Sequence, residues 1–162
     1  MTNYEGLEPD ELLALANLYF DNEDYIVALP ILKKLVNSET APVGAFSTLG
    51  RIYSILGLFE RAKAAFDAYL GFRPDAIPER FEKGLVLKQM GSDEAALTIW
   101  ENILEENEHF APALYTKALY LKESSRVDEA IDVLTLLIEN TPPEDNHFDL
   151  ANQMLSELSL YS

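Results

Sequence analysis

The sequence predicts an all-α protein, an α-solenoid of four 34-residue helix-turn-helix repeats followed by a C-terminal capping helix. Three observations support this fold class. The 162-residue chain repeats in register when it is compared with itself at an offset of 34 positions. Within each period, apolar residues recur every three or four positions, which is the pattern of one buried helix face. The alternation of apolar and polar residues that would indicate a strand is not found.

The repeats are defined by five columns of residues that continue through four periods without an insertion. Two columns hold small residues, which let helix backbones approach closely: Ala16, Gly50, Gly84 and Ala118, and then Ala28, Ala62, Ala96 and Ala130. Three columns hold large residues that fill the space beside this contact: Leu32, Phe66, Trp100 and Leu134; Leu35, Tyr69, Ile103 and Leu137; and Tyr19, Tyr53, Leu87 and Leu121. Because one hairpin cannot cover its own apolar face, we expect the repeats to stack around a continuous core in a right-handed superhelix.

Prolines and glycines mark the helix ends along the chain. Pro30 lies inside the second helix of the first period and is expected to kink it. In the second period, Gly57 ends the first helix and Pro74 stops the second, and in the third period Gly91 ends the first helix. The second helices of the later periods are predicted at about 60–70, 93–105 and 128–139. These boundaries predict one domain over 1–162, with repeats at about 9–42, 43–76, 77–110 and 111–144 and a capping helix at about 145–160.

The second period resembles the tetratricopeptide repeat, whose pattern is an aromatic residue, Leu-Gly, Tyr, then Ala with Phe four positions on, and Pro. The matching residues are Phe46, Leu49, Gly50, Tyr53, Ala62, Phe66 and Pro74. The other periods depart from the pattern in places, since Lys83 and Lys117 replace Leu and Glu108 replaces Pro. The resemblance implies a right-handed helical array whose first helices line a concave groove, where extended peptides or partner helices bind.

Composition excludes several functional classes. The chain has 28 acidic and 12 basic residues, giving a net charge of −16, which would repel nucleic acid and anionic membrane surfaces. It has no cysteine, and it lacks both a signal-peptide pattern and an apolar run long enough to span a bilayer. We therefore expect a cytoplasmic protein that does not insert into membranes.

The sequence offers no basis for an enzyme, a cofactor site or a metal site. Its two histidines, His109 and His147, fall in loops more than one repeat apart, so surface or helix-capping roles are expected for them. No metal-binding or phosphate-binding motif is present. Trp100 occupies a core column and is expected to pack in the interior.

The positions left over on the first helices predict the partner-binding groove. These residues are Leu13, Asn17, Phe20, Arg51, Phe81, Leu85, Lys88, Tyr115, Leu119 and Lys122. The apolar pairs Phe81/Leu85 and Tyr115/Leu119 could form an exposed patch, or they could pack within a tight superhelix. The basic residues Arg51, Lys88 and Lys122 could attract a carboxylate of the partner, or they could pair with neighbouring acids such as Glu82 and Glu123.

The predicted function is a non-enzymatic adaptor or scaffold that binds a protein or peptide partner in this groove. The alternative is a dedicated chaperone for an exported or aggregation-prone client, such as a bacterial secretion chaperone. The set of Lys, Asn and Arg residues with which related co-chaperones hold acidic tails is not present as a set. Self-association through the terminal helix is a further hypothesis, because Leu150, Met154, Leu158 and Tyr161 form an apolar stripe there.

Overall fold

The protein is all-α in the computed structural model, which describes residues 4–160. This part of the chain forms nine helices and no strand, which confirms the predicted fold class of stacked helical hairpins. α2 continues through Pro30, so this proline does not end the helix. The helices are α1 (Pro9–Asp21), α2 (Tyr25–Val36), α3 (Gly44–Ile55), α4 (Phe59–Phe72), α5 (Ile77–Gln89), α6 (Asp93–Glu106), α7 (Ala111–Glu123), α8 (Val127–Asn140) and α9 (Asn146–Ser159).

The helices group into two compact units. Unit 1 ends at Asp93 and contains α1 to α5, and unit 2 begins at Glu94 and contains α6 to α9. The core of unit 1 includes the residues Leu32, Ile52 and Phe66, which are fully buried. The core of unit 2 includes Leu134 and Leu137.

The repeating columns are buried, as the periodicity predicts. The alanines and glycines of both small-residue columns are buried, and so are all the large residues of the three apolar columns except Tyr19 and Tyr69, which are half-buried. The sequence suggests that Gly50 faces the alanine column of the partner helix, but the nearest neighbour of Gly50 is the ring of Phe66. A side-chain carbon added at Gly50 would lie 3.0 Å from two ring carbons of Phe66. The small residue therefore makes room for the aromatic ring of the partner helix.

Each hairpin turns through one residue with a left-handed backbone, and this residue recurs at the repeat spacing. The position holds Glu23 (φ 62°), Gly57 (φ 71°), Gly91 (φ 78°) and Ser125 (φ 58°). In each turn the following amide donates back to a carbonyl five residues earlier, as in the bond from the Leu58 amide to the Tyr53 carbonyl at 2.8 Å. This is the Schellman ending of a helix, which glycine adopts without steric penalty.

Candidate functional site

Unit 1 contains a cleft of about 280 Å³ between α3 and α5, with α4 beneath it. Phe66 and Val86, both buried, form part of its apolar lining, and Leu85 stands at the rim with 40% of its surface exposed. Small-molecule sites usually span about 300–1,000 Å³, so this cleft has the size for a side chain of a partner rather than for a large ligand. The lining residues are Arg51, Ser54, Phe59, Phe66, Glu82, Leu85, Val86 and Gln89.

An ion-pair cluster joins α3 to α5 at the wall of the cleft. Arg51 Nε donates to both carboxylate oxygens of Glu82, at 3.0 and 2.9 Å, and Arg51 Nη2 donates to Glu79 Oε1 at 3.3 Å. The buried Ser47 hydroxyl donates to the same Glu79 oxygen at 2.9 Å. Glu79 is 8% exposed, so its carboxylate depends on these two donors to replace the hydration lost on folding.

The electrostatics of this cluster leave little free positive charge. Burial acts to lower the pKa of Arg51, but the hydrogen bond and charge of Glu82, together with the charge of Glu79, raise this pKa above its usual value. Burial raises the pKa of the Glu82 carboxyl, and the hydrogen bond from Arg51 offsets this only in part. Two carboxylates thus face one guanidinium. The basic side chain that the sequence places in the groove is neutralised within the protein.

Three other predicted groove residues of unit 1 lie on α1 and contribute to packing or hydrogen bonding. Leu13 and Phe20 pack against the core of unit 1, and the Phe20 ring centroid lies 5.8 Å from that of Tyr25 on α2. The Asn17 side-chain oxygen accepts a hydrogen bond from the Thr48 hydroxyl at 2.7 Å, which ties α1 to α3. Asn17 therefore has a structural role in addition to its predicted place in the groove.

The two remaining predicted residues of unit 1 lie on α5. Phe81 and Lys88 are both half-buried, and neither lines the cleft between α3 and α5. Of the predicted apolar pair Phe81/Leu85, only Leu85 reaches the cleft.

The predicted groove residues of unit 2 all lie on α7. Tyr115 and Leu119 are half-buried and pack against the core of unit 2, so they contribute to its stability. Lys122 Nζ pairs with Glu157 Oε2 at 2.8 Å, which links α7 to α9. Both Arg51 and Lys122 are thus paired with acids on neighbouring helices.

The stripe proposed for self-association on the terminal helix is not an exposed face. Met154 and Leu158 belong to the core of unit 2, where α9 packs against α8. Leu150 is exposed, and Tyr161 lies outside the described residues. The helical spacing is real, but it marks the buried side of α9, because the terminal helix covers the open end of the preceding hairpin.

The two histidines line one depression in unit 2, although their positions in the sequence suggest that they lie apart. The loop before α7 contributes His109, and the N-terminus of α9 contributes His147. Asp145 caps α9 by accepting from the His147 amide at 2.8 Å, and its carboxylate also lies 2.9 Å from His147 Nδ1. The residue that caps α9 is thus Asp145, and the His147 ring lies beside this cap. Within residues 4–160, no group of three or more histidine or acidic side chains is arranged to hold a metal ion.

A comparison with family models identifies the repeat. Residues 43–75, which comprise α3, α4 and the turn between them, match the model described as "Tetratricopeptide repeat". The second repeat of the chain is therefore a tetratricopeptide repeat. The match falls on the second repeat, the period with the full set of pattern residues. A search of curated proteins gives no significant match.

Solved tetratricopeptide repeat structures share the fold at low sequence identity. YrrB, described as "a TPR protein with an unusual peptide-binding site", has 19% identity and a TM-score of 0.69, covering 95% of this chain and 82% of YrrB. MamA residues 41 to the end from Desulfovibrio magneticus RS-1 have 20% identity and a TM-score of 0.69, covering 93% of this chain and 90% of that one. A tetratricopeptide repeat protein from Parabacteroides merdae ATCC 43184 has 20% identity and a TM-score of 0.74, covering 94% of this chain and 60% of that one. Similarity at this level shows the fold.

None of the helices in residues 4–160 is both long enough and apolar enough to cross a membrane.

Proposed function

We propose that this tetratricopeptide repeat protein is a non-enzymatic interaction module that holds an apolar side chain of a partner peptide or helix in the α3–α5 cleft. The observation that supports it is the apolar floor of the cleft beside a charged wall that is already paired. Phe59, Phe66 and Val86 supply the floor, and Leu85 stands exposed at the rim. Apolar burial is therefore the main source of affinity, and the Arg51 cluster fixes the spacing of α3 and α5.

We expect the apolar cleft to contribute more binding free energy than the basic residues that the sequence predicts in the groove. Truncation of a central apolar contact in an interface often costs 2 kcal/mol or more of binding free energy, whereas charged residues at a rim mainly change the association rate. The related structure that is described by its peptide-binding site supports this class of function. An adaptor holding one partner and a chaperone holding one client would use the same cleft.

The test is affinity capture from the native lysate with wild-type protein, Leu85→Ala and the control Leu136→Ala. Leu85 is 40% exposed and Leu136, on α8, is 38% exposed, so the two substitutions remove similar surface. We expect wild type and Leu136→Ala to retain the same protein partners, identified by mass spectrometry. Leu85→Ala should lose them while its helicity and melting temperature match those of Leu136→Ala. Equal retention by both variants would show that the cleft is not the working surface.

A further inference from the structure

The outward face of α2 differs from the same face of every later second helix. Ile26 is 89% exposed and Val27 is 37% exposed, and Pro30 is also exposed. At the 34-residue spacing, these three positions hold polar or small residues that are likewise exposed. The equivalent residues are Glu60, Arg61 and Ala64, then Glu94, Ala95 and Thr98, and then Asp128, Glu129 and Asp132. The column faces solvent in all four repeats, and in the first repeat alone it is apolar.

The apolar residues on α2 do not help the isolated helix to form. The first turn of α2 has no acidic residue to favour the positive end of the helix dipole, whereas α4 and α8 do. Pro30 removes a backbone hydrogen bond from the helix interior. Ile26, which is 89% exposed, gains almost nothing from burial in the single chain, and Val27 leaves 37% of its surface uncovered. This face gains stabilisation only when another surface covers it.

Charges of opposite sign flank the apolar face along the same helix. Glu23 and Asp24, both exposed, precede the first residue of α2. Lys33 and Lys34 occupy its last turn, where they are also exposed. Basic residues are scarce, at 12 against 28 acidic ones, and no lysine or arginine stands at the equivalents of this pair in later repeats. The order along α2 is therefore acidic, apolar and basic.

When a second α2 helix lies antiparallel to the first, the acidic end of each helix meets the basic end of the other, and their apolar parts face each other. We propose that two copies of this chain associate through their α2 helices, packed antiparallel about a twofold axis. An axis near the middle of α2 brings Asp24 opposite Lys33 of the second copy, and Glu23 opposite its Lys34. The same register brings Val27 opposite Pro30 of the second copy, and the reverse contact follows from the symmetry. Such an isologous contact closes as a dimer and does not continue into a fibre.

The contact is limited to one helix face, which places it in the class of weak interfaces below about 1,200 Å². We therefore expect a dissociation constant on the order of 0.1 mM. The proposal is independent of the α3–α5 cleft, so Leu85→Ala should leave the dimer unchanged even if it removes partner binding.

The first experiment is sedimentation equilibrium over a range of protein concentrations. Wild-type mass should rise from 18.2 kDa towards twice that value. The triple variant Ile26→Glu, Val27→Arg and Pro30→Ala gives α2 the residues of the second repeat, and its dissociation constant should rise at least tenfold. Circular dichroism should show that the helicity of this variant is at least that of wild type, because Pro30→Ala restores a backbone donor to α2. Leu150→Glu on α9, where Leu150 is as exposed as Val27, should dimerise like wild type. A wild-type chain that stays monomeric at millimolar concentration, or a dimer lost only with Leu150→Glu, would overturn the proposal.

The second experiment exchanges the charges. Lys33→Glu with Lys34→Glu makes both ends of α2 acidic, and Glu23→Lys with Asp24→Lys makes both ends basic. Each double variant alone should dimerise at least tenfold more weakly than wild type, because like charges then meet across the axis. An equimolar mixture should form the mixed dimer at least as well as wild type. If the mixture associates no better than the separate variants, antiparallel α2 pairing is wrong.

Discussion

Gly50 on α3 lies directly against the ring of Phe66 on α4, so the close approach of these two helices depends on the small size of Gly50. A methyl group added at Gly50 would lie 3.0 Å from Phe66 Cε1 and Cζ and 3.1 Å from Cδ1. These distances are shorter than ordinary carbon contacts, which are about 3.5–4.0 Å. Phe66 is fully buried, so a shift of its ring would disturb its packing contacts in the core of unit 1. We expect Gly50→Ala to destabilise the protein.

The expected change in the free energy of unfolding for Gly50→Ala is the difference between two opposing effects. Overpacking a core contact costs about 1–3 kcal/mol, and replacing glycine by alanine inside a helix contributes about 1 kcal/mol of stabilisation. The net loss for Gly50→Ala is therefore about 0–2 kcal/mol. Gly71, near the end of α4, supplies the matched control. Apart from its chain neighbours and the backbone of its own helix, no atom lies within 4 Å of a carbon added at Gly71. Gly71→Ala should stabilise the protein by about 0.5–1 kcal/mol.

Urea denaturation of the full chain, followed by far-UV circular dichroism, measures both variants against wild type. The stability gap between Gly71→Ala and Gly50→Ala should be about 1–3 kcal/mol, which is the steric cost alone. If both variants shift the transition in the same direction by the same amount, Phe66 does not press on Gly50. The small-residue column would then reflect helix approach in general and not room for this ring.

Two further predictions follow from turn geometry and from charge. Ser125→Gly should stabilise the protein by about 1 kcal/mol, because Ser125 holds the left-handed turn position that Gly57 fills in the second repeat; a thermal melt that is unchanged or lowered would contradict this. Asp67 accepts a hydrogen bond from Lys63 at 2.8 Å and pairs with Lys83 at 2.6 Å. Burial acts to raise the pKa of the Asp67 carboxyl, but the hydrogen bonds and charges of these lysines lower this pKa below its usual value of 3.8. Because a lowered carboxyl pKa stabilises the fold above the unfolded pKa, Asp67→Asn should cost about 0.5–1 kcal/mol at pH 7. That loss should disappear as the pH falls through the folded pKa, and a pH-independent loss in urea titrations would exclude the ion pair as its cause.

The helices could be predicted from the sequence because the residues that become buried recur every three or four positions along it. The second helix of the third period was expected at about 93–105 and is α6, Asp93–Glu106. The division into two units could not be predicted in this way. The apolar columns continue with the same spacing on both sides of Asp93, so the periodic pattern holds no sign of a boundary there. The ring of Phe66 beside Gly50 was also missed, since the columns show which positions are buried and not where a side chain points.

The candidate site was predicted only in part, for a reason of geometry. Sequence reasoning placed Arg51 on the groove-facing side of α3 but did not pair it with Glu79. The bonds from Arg51 to Glu82 and from Thr48 to Asn17 both join residues 31 positions apart. This offset is one repeat less about one helical turn, and it links the first helices of neighbouring repeats. The sequence left pairing with Glu82 open as an alternative for the basic residues, and the structure confirms it for Arg51.

Under the proposed function, the pairing of Arg51 bears on which partner side chain we expect the cleft to favour. A partner carboxylate that displaced Glu82 from Arg51 Nε would form one charge-assisted bond while another was lost. Glu82 would then remain without its partner, with only 28% of its side chain exposed to water. Leaving a buried charge unpaired costs about 3–5 kcal/mol, and even a fraction of that exceeds the gain from an exchange of equal bonds. An apolar side chain meets Phe66 and Val86 without disturbing the pair, and burying it contributes about 1.5–3 kcal/mol. We therefore expect the proposed site to favour an apolar anchor over an acidic one that displaces Glu82.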